Sequence, residues 1–307
     1  MRTVYGLSEI PPELRGGAVA IGNFDGVHRG HQALIGKAVE AAKAIGAPAG
    51  VMIFEPHPRE FFKPDEPHFR LTALDEKLRV FGLLGLDFAV VAPFDKAFSE
   101  LDHYTFADDV LISALGVRHV VIGYDFYYAK DRRGSPESMI LAGIERDFDV
   151  TVVQPVAENG EVFSSTSIRL KLAQGDIAGA NRELGRSWRI TGKVVGGAKR
   201  GTGLGYPTAN VPMPKGTTLG HGIYAVRAHV DGKVHDAAAY LGTRPTFDNG
   251  MPVLEVFLLD FDGDLYGHDI AVEFIGFIRD DRKFDTPDAL VAQMNEDVAK
   301  VRSVLAG

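Results

Sequence analysis

The sequence predicts two folds in series. A doubly wound α/β half over residues 1–185 is followed by a small antiparallel β-barrel with a C-terminal helix over 186–307. Two patterns predict this. Up to residue 185, short apolar runs at 18–21, 49–54, 88–92, 119–123 and 150–156 alternate with helical spacing near 31–45, 72–84, 104–115 and 135–146. Strands that alternate with helices form parallel βαβ units with right-handed crossovers. Beyond residue 185 the runs at 190–195, 222–230, 237–241, 254–261 and 270–277 read as strands, with Asp231-Gly232 and Asp262-Gly263 as hairpin-turn signals. A closing helix over 287–305 is predicted, with Asp285 or Thr286 as N-cap and Pro287 at its first position. Its apolar face would be Leu290, Met294, Val298 and Val301.

Composition narrows the function classes. The 307 residues are 45% hydrophobic and 24% charged, as in an ordinary globular protein with room for two cores. A formal net charge of −8 argues against broad nucleic-acid binding, because no basic excess exists to displace counterions. With no cysteine, disulfides and thiolate metal sites are excluded. Residues 1–17 carry charges and prolines where a signal peptide needs an apolar core, and no apolar run approaches the length of a bilayer span. The expectation is a soluble cytoplasmic protein, a monomer or weak homo-oligomer, without nucleic-acid or membrane partners.

The most informative motif is Gly22-Asn23-Phe24-Asp25-Gly26-Val27-His28-Arg29-Gly30-His31, directly after the first buried strand and before a helical segment. A strand, a glycine-rich turn and a helix N-terminus offer backbone N–H groups and the helix dipole to an anion. His28 and His31 are three apart, so both project to one face of the first turn, where imidazoles can hold phosphate oxygens during nucleotidyl transfer. Asp25 and two imidazoles are too few for a zinc-type site. Ser164-Ser165-Thr166-Ser167-Ile168-Arg169 is a helix N-cap or a phosphate site. Arg169 in the first turn opposes the helix dipole unless an anion arrives.

Four further segments carry candidate groups, three of them with two readings. Phe54-Glu55-Pro56-His57-Pro58, followed by Phe61-Phe62, is either a rim for a flat ring or a rigid loop packing its own aromatics. Asp125, in Gly123-Tyr124-Asp125-Phe126, accepts from a base or ribose, or caps the next segment. In the second half, Lys199, Arg200 and Gly201 open a glycine loop that runs to Pro207. Thr208 and Asn210 beyond it can share one hard cation such as Mg²⁺ if the chain is extended. Glu255 lies inside a strand, either on a solvated face or placed to take a proton from an alcohol.

Taken together, these motifs resemble the prokaryotic bifunctional riboflavin kinase/FMN adenylyltransferase (FAD synthetase) family over nearly the whole chain. In the first half the resemblance rests on 22–31, 54–58, 123–126 and 164–169. In the second it rests on Gly205-Tyr206-Pro207-Thr208-Ala209-Asn210, Gly222-Ile223-Tyr224, Gly242-Thr243-Arg244-Pro245-Thr246-Phe247, Leu254-Glu255, Leu265-Tyr266-Gly267 and Ile278-Arg279. The resemblance implies a Rossmann-like adenylyltransferase module over 1–185 and a flavokinase barrel over 186–307. The substrates would be riboflavin, FMN and ATP, the products FMN and FAD, and the metal Mg²⁺. Glu255 matches the family's catalytic base, and Thr208 and Asn210 the groups at the metal and phosphate. His28, His31, Ser165, Thr166 and Arg169 match the residues that hold the triphosphate.

The resemblance also implies nucleotide or phosphate contacts from Gly22, Asn23, Phe24, Asp25, Gly30, Asp125, Ser164, Gly197, Lys199, Arg200 and Gly201. Flavin contacts are implied from Phe54, Pro56, Pro58, Phe62 and Arg279. Two positions depart from the family pattern: after Asp125-Phe126 an Arg or Thr and then Phe-Gly are usual, where Tyr127-Tyr128-Ala129-Lys130 stands here, and Gly196 stands where a His is common. A transferase acting on a pantetheine or nicotinamide phosphate would leave the Pro-Thr-Ala-Asn motif unexplained. A flavin-binding regulator would be expected to lose Glu255, Asn210 or a motif histidine.

Overall fold

Runs of Ala, Val and Ile without polar interruption form strands only where both faces of a sheet are covered, and the first half follows that rule. Strands β1 (Arg2–Tyr5), β2 (Ala18–Ile21), β3 (Ala49–Glu55), β4 (Phe88–Pro93), β5 (His119–Gly123) and β6 (Asp149–Val153) make one parallel sheet in the order β1-β4-β3-β2-β5-β6. Every residue of β2 is buried. The order reverses at β2, with β3 on one side and β5 on the other, so the crevice between the C-terminal ends of β2 and β5 is where such sheets bind ligands. Helix α1 (Arg29–Ile45) follows β2, buries Leu34, Ile35, Ala38 and Ala42, and ends at Gly46 in the left-handed conformation.

The computed structural model describes residues 1–196, 206–242 and 253–307. The chain divides into two compact units, Met1–His68 with Lys77–Ser164, and Phe69–Glu76 with Ser165–Gly307. The remaining helices of the first half are α2 (Pro58–Phe62), α3 (Leu74–Leu83, whose first residues belong to the second unit), α4 (Lys96–Ser99), α5 (His103–Thr105, continued as a π-helix over Phe106–Leu115) and α6 (Pro136–Arg146). A two-strand hairpin, β7 (Ala157–Glu158) and β8 (Glu161–Val162), precedes α7 (Ser165–Ala173) and α8 (Ile177–Leu184). Sequence periodicity misses β1, a short edge strand whose ends are exposed and which therefore has no apolar run.

The second unit holds β9 (Trp188–Lys193), β10 (Ala209–Pro212), β11 (Gly222–Val230), β12 (Lys233–Leu241), β13 (Val253–Leu258) and β14 (Asp269–Asp280), all antiparallel, in the order β10-β13-β12-β11-β14-β9. A bridge between Val195 and Asn210, with the Val195 N–H 2.9 Å from the Asn210 carbonyl, nearly closes the barrel. Alternate residues fill it, among them Trp188, Val211, Tyr224, Val226, Leu254, Val256 and Phe274. The Trp188 indole N–H donates to the Leu71 carbonyl at 2.9 Å, which ties the 69–76 segment to this core.

Asp231-Gly232 forms the expected tight turn, with both residues at positive φ (47° and 78°). Asp262-Gly263 does not form a hairpin: β13 pairs with β10 and β12 while β14 pairs with β11 and β9, so this connection crosses between non-adjacent strands. The closing helix, α9 (Pro287–Ala306), is capped by Thr286, whose hydroxyl accepts from the Ala289 N–H. Its buried residues are Asp297, Val301 and Leu305; Leu290, Met294 and Val298 are only half-buried. Among the described residues no helix is long and apolar enough to cross a membrane.

One close approach decides the first sheet. A Cβ on Gly50 of β3 would lie 2.1 Å from the ring of Phe88, its partner on β4, which is fully buried. Gly50→Ala is therefore expected to destabilise the chain by about 1–3 kcal/mol through overpacking, read from urea unfolding. Pairing it with Phe88→Leu should recover part of the loss.

Candidate functional site

The end of β2 leads into a turn that only partly obeys backbone preference. Phe24 and Val27 have φ of 48° and 44°, and Gly26 has 87°. Left-handed backbone is rare for residues with a β-branch or a bulky ring, and each such position stores about 1–3 kcal/mol. The turn is nonetheless buried: Phe24 is 2% exposed, Val27 0%, Asp25 5% and His28 7%. Phe24 turns inward, edge-on to Phe81 at 5.8 Å and to His31 at 5.3 Å.

His28 is the N-cap of α1, and its Nδ1 accepts from the His31 N–H at 3.4 Å. An accepting Nδ1 leaves Nε2 as the protonated nitrogen of the neutral ring. The two imidazoles stack with centroids 3.6 Å apart and planes 23° from parallel. Gly30 keeps that stack open, since a Cβ there would lie 3.1 Å from the His28 ring. The Asn23 amide oxygen is buried and has no hydrogen-bond partner among the described residues, a condition that a ligand or water relieves. Paired imidazoles at a helix N-terminus are groups that can meet an anion, whereas the Asn23 amide oxygen, an acceptor, calls for a donor.

Across the crevice, β5 ends in Gly123, and the Phe126 N–H closes a turn on the Gly123 carbonyl. Asp125 is exposed, and a Cβ on Gly123 would meet its Oδ1 at 3.1 Å and Leu34 of α1 at 3.8 Å. The Asp125 carboxylate therefore folds back over the end of β5 on the α1 side. In the next stretch Tyr128 is buried, stacks on Phe126 at 5.4 Å, packs against Phe106 at 5.0 Å and lies 3.3 Å from the Ser138 hydroxyl. Burial pushes its phenol pKa up. Tyr127 is exposed, with the Arg132 guanidinium 5.2 Å over its ring. Ala129 sits at φ 64°, ψ 179°, a conformation open almost only to glycine. That is the position at which the family pattern carries glycine, so the departure shows as a strained alanine.

In the 54–62 segment the aromatics divide. Phe54 is buried against Phe94 and Phe98, as in the self-packing reading of this loop, whereas Phe62 is 64% exposed. Phe61 and Phe62 both meet Phe94 edge-on. Pro56 is exposed, and Pro58 is the first residue of α2, which His57 caps. Ser164 is the last residue of the first unit; Ser165, Thr166 and Arg169 open α7 in the second. The Arg169 Nε donates to the Phe69 carbonyl at 2.8 Å, which orients the guanidinium. Ser167 is turned away from ligand duty: its hydroxyl donates to the buried Glu183 at 2.6 Å, which Lys171 also meets at 2.8 Å.

On the barrel, strand register brings a second group of residues together. Glu255 of β13 lies opposite Asn210 of β10 on one side and Tyr240 of β12 on the other. Their strand neighbours Ala209, Val211, Leu254, Val256, Ala239 and Leu241 fill the barrel. Period-2 alternation therefore puts Asn210, Glu255 and Tyr240 in one row on the outer face, with Thr208 in phase. All four are half-buried. At the edge of that face, the Tyr206 hydroxyl donates to Asn295 of α9 at 2.7 Å, and the Tyr240 hydroxyl donates to Asp281 at 3.1 Å.

Arg279 is engaged elsewhere. Its guanidinium forms a bidentate pair with buried Asp297 at 2.6–3.1 Å and donates to the Asp280 carbonyl at 2.8 Å, which fastens α9 to β14. Gly197, Lys199, Arg200 and Gly201 lie outside the described residues, as do Gly205 and 243–247. Sequence reasoning missed Tyr240, Asp297 and Lys77, whose ammonium donates to the Asn23 carbonyl at 2.8 Å. The available signal for Tyr240 was its place as the one hydroxyl-bearing residue in the apolar run 237–241. A buried charge at a helix position, as at Lys77 and Asp297, leaves no signal in a single sequence.

Because Ala129 occupies a glycine conformation, Ala129→Gly is expected to raise stability by about 1–2 kcal/mol, read as a higher urea midpoint at unchanged slope.

The chain matches the FAD synthetase family model over residues 10–167 and the riboflavin kinase family model over residues 184–305. A bifunctional riboflavin kinase/FMN adenylyltransferase from Pseudomonas fluorescens is 40% identical over 307 residues, covering 100% of this chain and 98% of that protein. Its counterpart from Escherichia coli (strain K12) is 39% identical over 303 residues, covering 98% of this chain and 96% of that protein. A solved structure described as a macrolide-efflux protein from Streptococcus pneumoniae superimposes with a TM-score of 0.84 at 29% identity, covering 98% of this chain and 99% of that one. With matched models in both halves and relatives similar from end to end, this chain belongs to the bifunctional riboflavin kinase/FMN adenylyltransferase family.

Proposed function

We propose that each half carries one of the family's two reactions, with residues 186–307 phosphorylating riboflavin and residues 1–185 adenylylating the FMN so formed. The chemistry is that of the family: riboflavin and ATP give FMN and ADP, then FMN and a second ATP give FAD and pyrophosphate. The observation that carries the first assignment is the register of Glu255 with Asn210 and Tyr240. The Glu255 carboxylate takes the proton of the riboflavin 5′-hydroxyl as that oxygen attacks the γ-phosphorus, and ADP leaves. A hydroxyl from Thr208 and an amide oxygen from Asn210 are hard neutral donors two residues apart. They suit Mg²⁺, which takes few protein ligands beside phosphate oxygens. When bound there, Mg²⁺ neutralises charge on the transferred phosphoryl group.

The second assignment rests on the stacked His28 and His31 at the start of α1. An FMN phosphate oxygen attacks the α-phosphorus of ATP, and the bond to the β-phosphate oxygen breaks to release pyrophosphate. Imidazole N–H groups and helix N-terminal amides meet the charge growing on the α-phosphate. Ser165, Thr166 and Arg169 are assigned to the departing pyrophosphate, with Ser164, Gly22, Phe24, Asp25 and Asp125 as nucleotide contacts. Phe62, with Pro56 and Pro58 as its rim, is the flavin platform of this half. No nucleophilic side chain is needed, because positioning and charge stabilisation supply the rate. The protein is assigned to the cytoplasm, as a monomer or weak homo-oligomer without nucleic-acid or membrane partners. The net charge of −8 argues against nucleic-acid partners, and the absence of cysteine is compatible with the cytoplasm.

Single-site variants separate the halves. Glu255→Gln is expected to slow FMN formation by about 10²–10⁴-fold, with FMN adenylylation kept within about twofold. His28→Ala with His31→Ala should do the reverse. Equal loss of both reactions in either variant contradicts the division of labour.

A further inference from the structure

The strained turn after β2 has to be held in place, because left-handed backbone at Phe24 and Val27 persists only where the surroundings over-determine it. Two side chains grip it by its carbonyls. The Lys77 ammonium donates to the Asn23 carbonyl at 2.8 Å, and the Gln32 carboxamide donates to the Val27 carbonyl at 2.9 Å. Lys77 is only 3% exposed, an unusual setting for a lysine. The direction of each grip matters. In a planar trans peptide the C=O and the following N–H point opposite ways. A carbonyl of Asn23 fixed toward Lys77 therefore aims the Phe24 N–H away from Lys77. A carbonyl of Val27 fixed toward Gln32 likewise aims the His28 N–H away from Gln32.

We propose that Lys77 and Gln32 are positioning residues for adenylyl transfer, clamping the Asn23 and Val27 carbonyls so that the Phe24 and His28 N–H groups are presented to the ATP phosphates. The proposal rests on reading this turn as the adenylyl-transfer site. Each acts through a peptide plane that it holds by the carbonyl.

The test uses the full-length protein and both reactions. Lys77→Met and Gln32→Met remove the donors while keeping side-chain length. Lys77→Met is expected to raise the KM for ATP in FMN adenylylation by about tenfold and Gln32→Met by about threefold, with a smaller change in kcat. Riboflavin phosphorylation should stay within about twofold in both, and Lys77→Arg, which keeps a donor, should recover part of the KM. Gln32 is half-buried, so Gln32→Met carries the test if Lys77→Met does not fold. Parental KM values for ATP in both Met variants, with only a lowered melting temperature, would overturn the proposal. The double variant His28→Ala, His31→Ala serves as the reference. If it adenylylates FMN at the parental rate, the reading of the turn fails. If it does not, and the Met variants bind ATP as the parent does, the positioning proposal alone fails.

Discussion

The burial of the Phe24 ring beneath the turn after β2 is the contact on which the first half depends. A parallel sheet covered on both faces gives its strands no polar side, so chemistry is confined to what emerges at their C-terminal ends. Between β2 and α1 the chain has seven residues, 22–28, in which to reverse direction. It does so by turning Phe24 inward against Phe81 and His31, at the cost of left-handed backbone at Phe24 and Val27. That geometry brings His28 to the cap of α1 and stacks His31 on it. The two imidazoles are thus positioned by a ring packed beneath the turn.

The barrel meets the same problem with different geometry. An antiparallel strand buries alternate residues, so one strand supplies both core and site. Leu254 and Val256 fill the interior, and Glu255 between them joins Asn210 and Tyr240 on the outer face. Helix α9 packs on the outer side of the strands, through Val301 and Leu305 against Ala225 and Leu259. Its position is fixed by the Arg279–Asp297 pair, both partners being nearly buried. A buried pair of this kind does more to fix geometry than to add net stability.

Legibility in the sequence followed the strength of the local signal. Strand β2 and all but the last residue of β3 and β4 are buried in continuous apolar runs, and α1 has clear helical spacing, so both were readable. The His28 and His31 pairing was readable because three-residue spacing puts both rings on one face. Edge strand β1 and short β10 were not, since neither has enough alternation to register. Asp262-Gly263 carries a turn composition but joins strands that are not neighbours, a fact set by barrel topology rather than by dipeptide chemistry. Arg279 and Lys77 illustrate a further limit: whether a cation faces a ligand, a carboxylate or a carbonyl depends on what the fold brings to it. At Ala129 the departure from the family motif falls where the structure holds an alanine in a glycine conformation, a strain that the sequence alone did not announce.

The most direct test of two sequential activities in one chain is a time course of the purified protein with riboflavin, ATP and Mg²⁺, its flavins separated by chromatography. FMN is expected to appear first and FAD to follow at its expense, with pyrophosphate formed in step with FAD. FMN that accumulates without FAD would contradict the adenylylation half, and unchanged riboflavin would contradict the account as a whole.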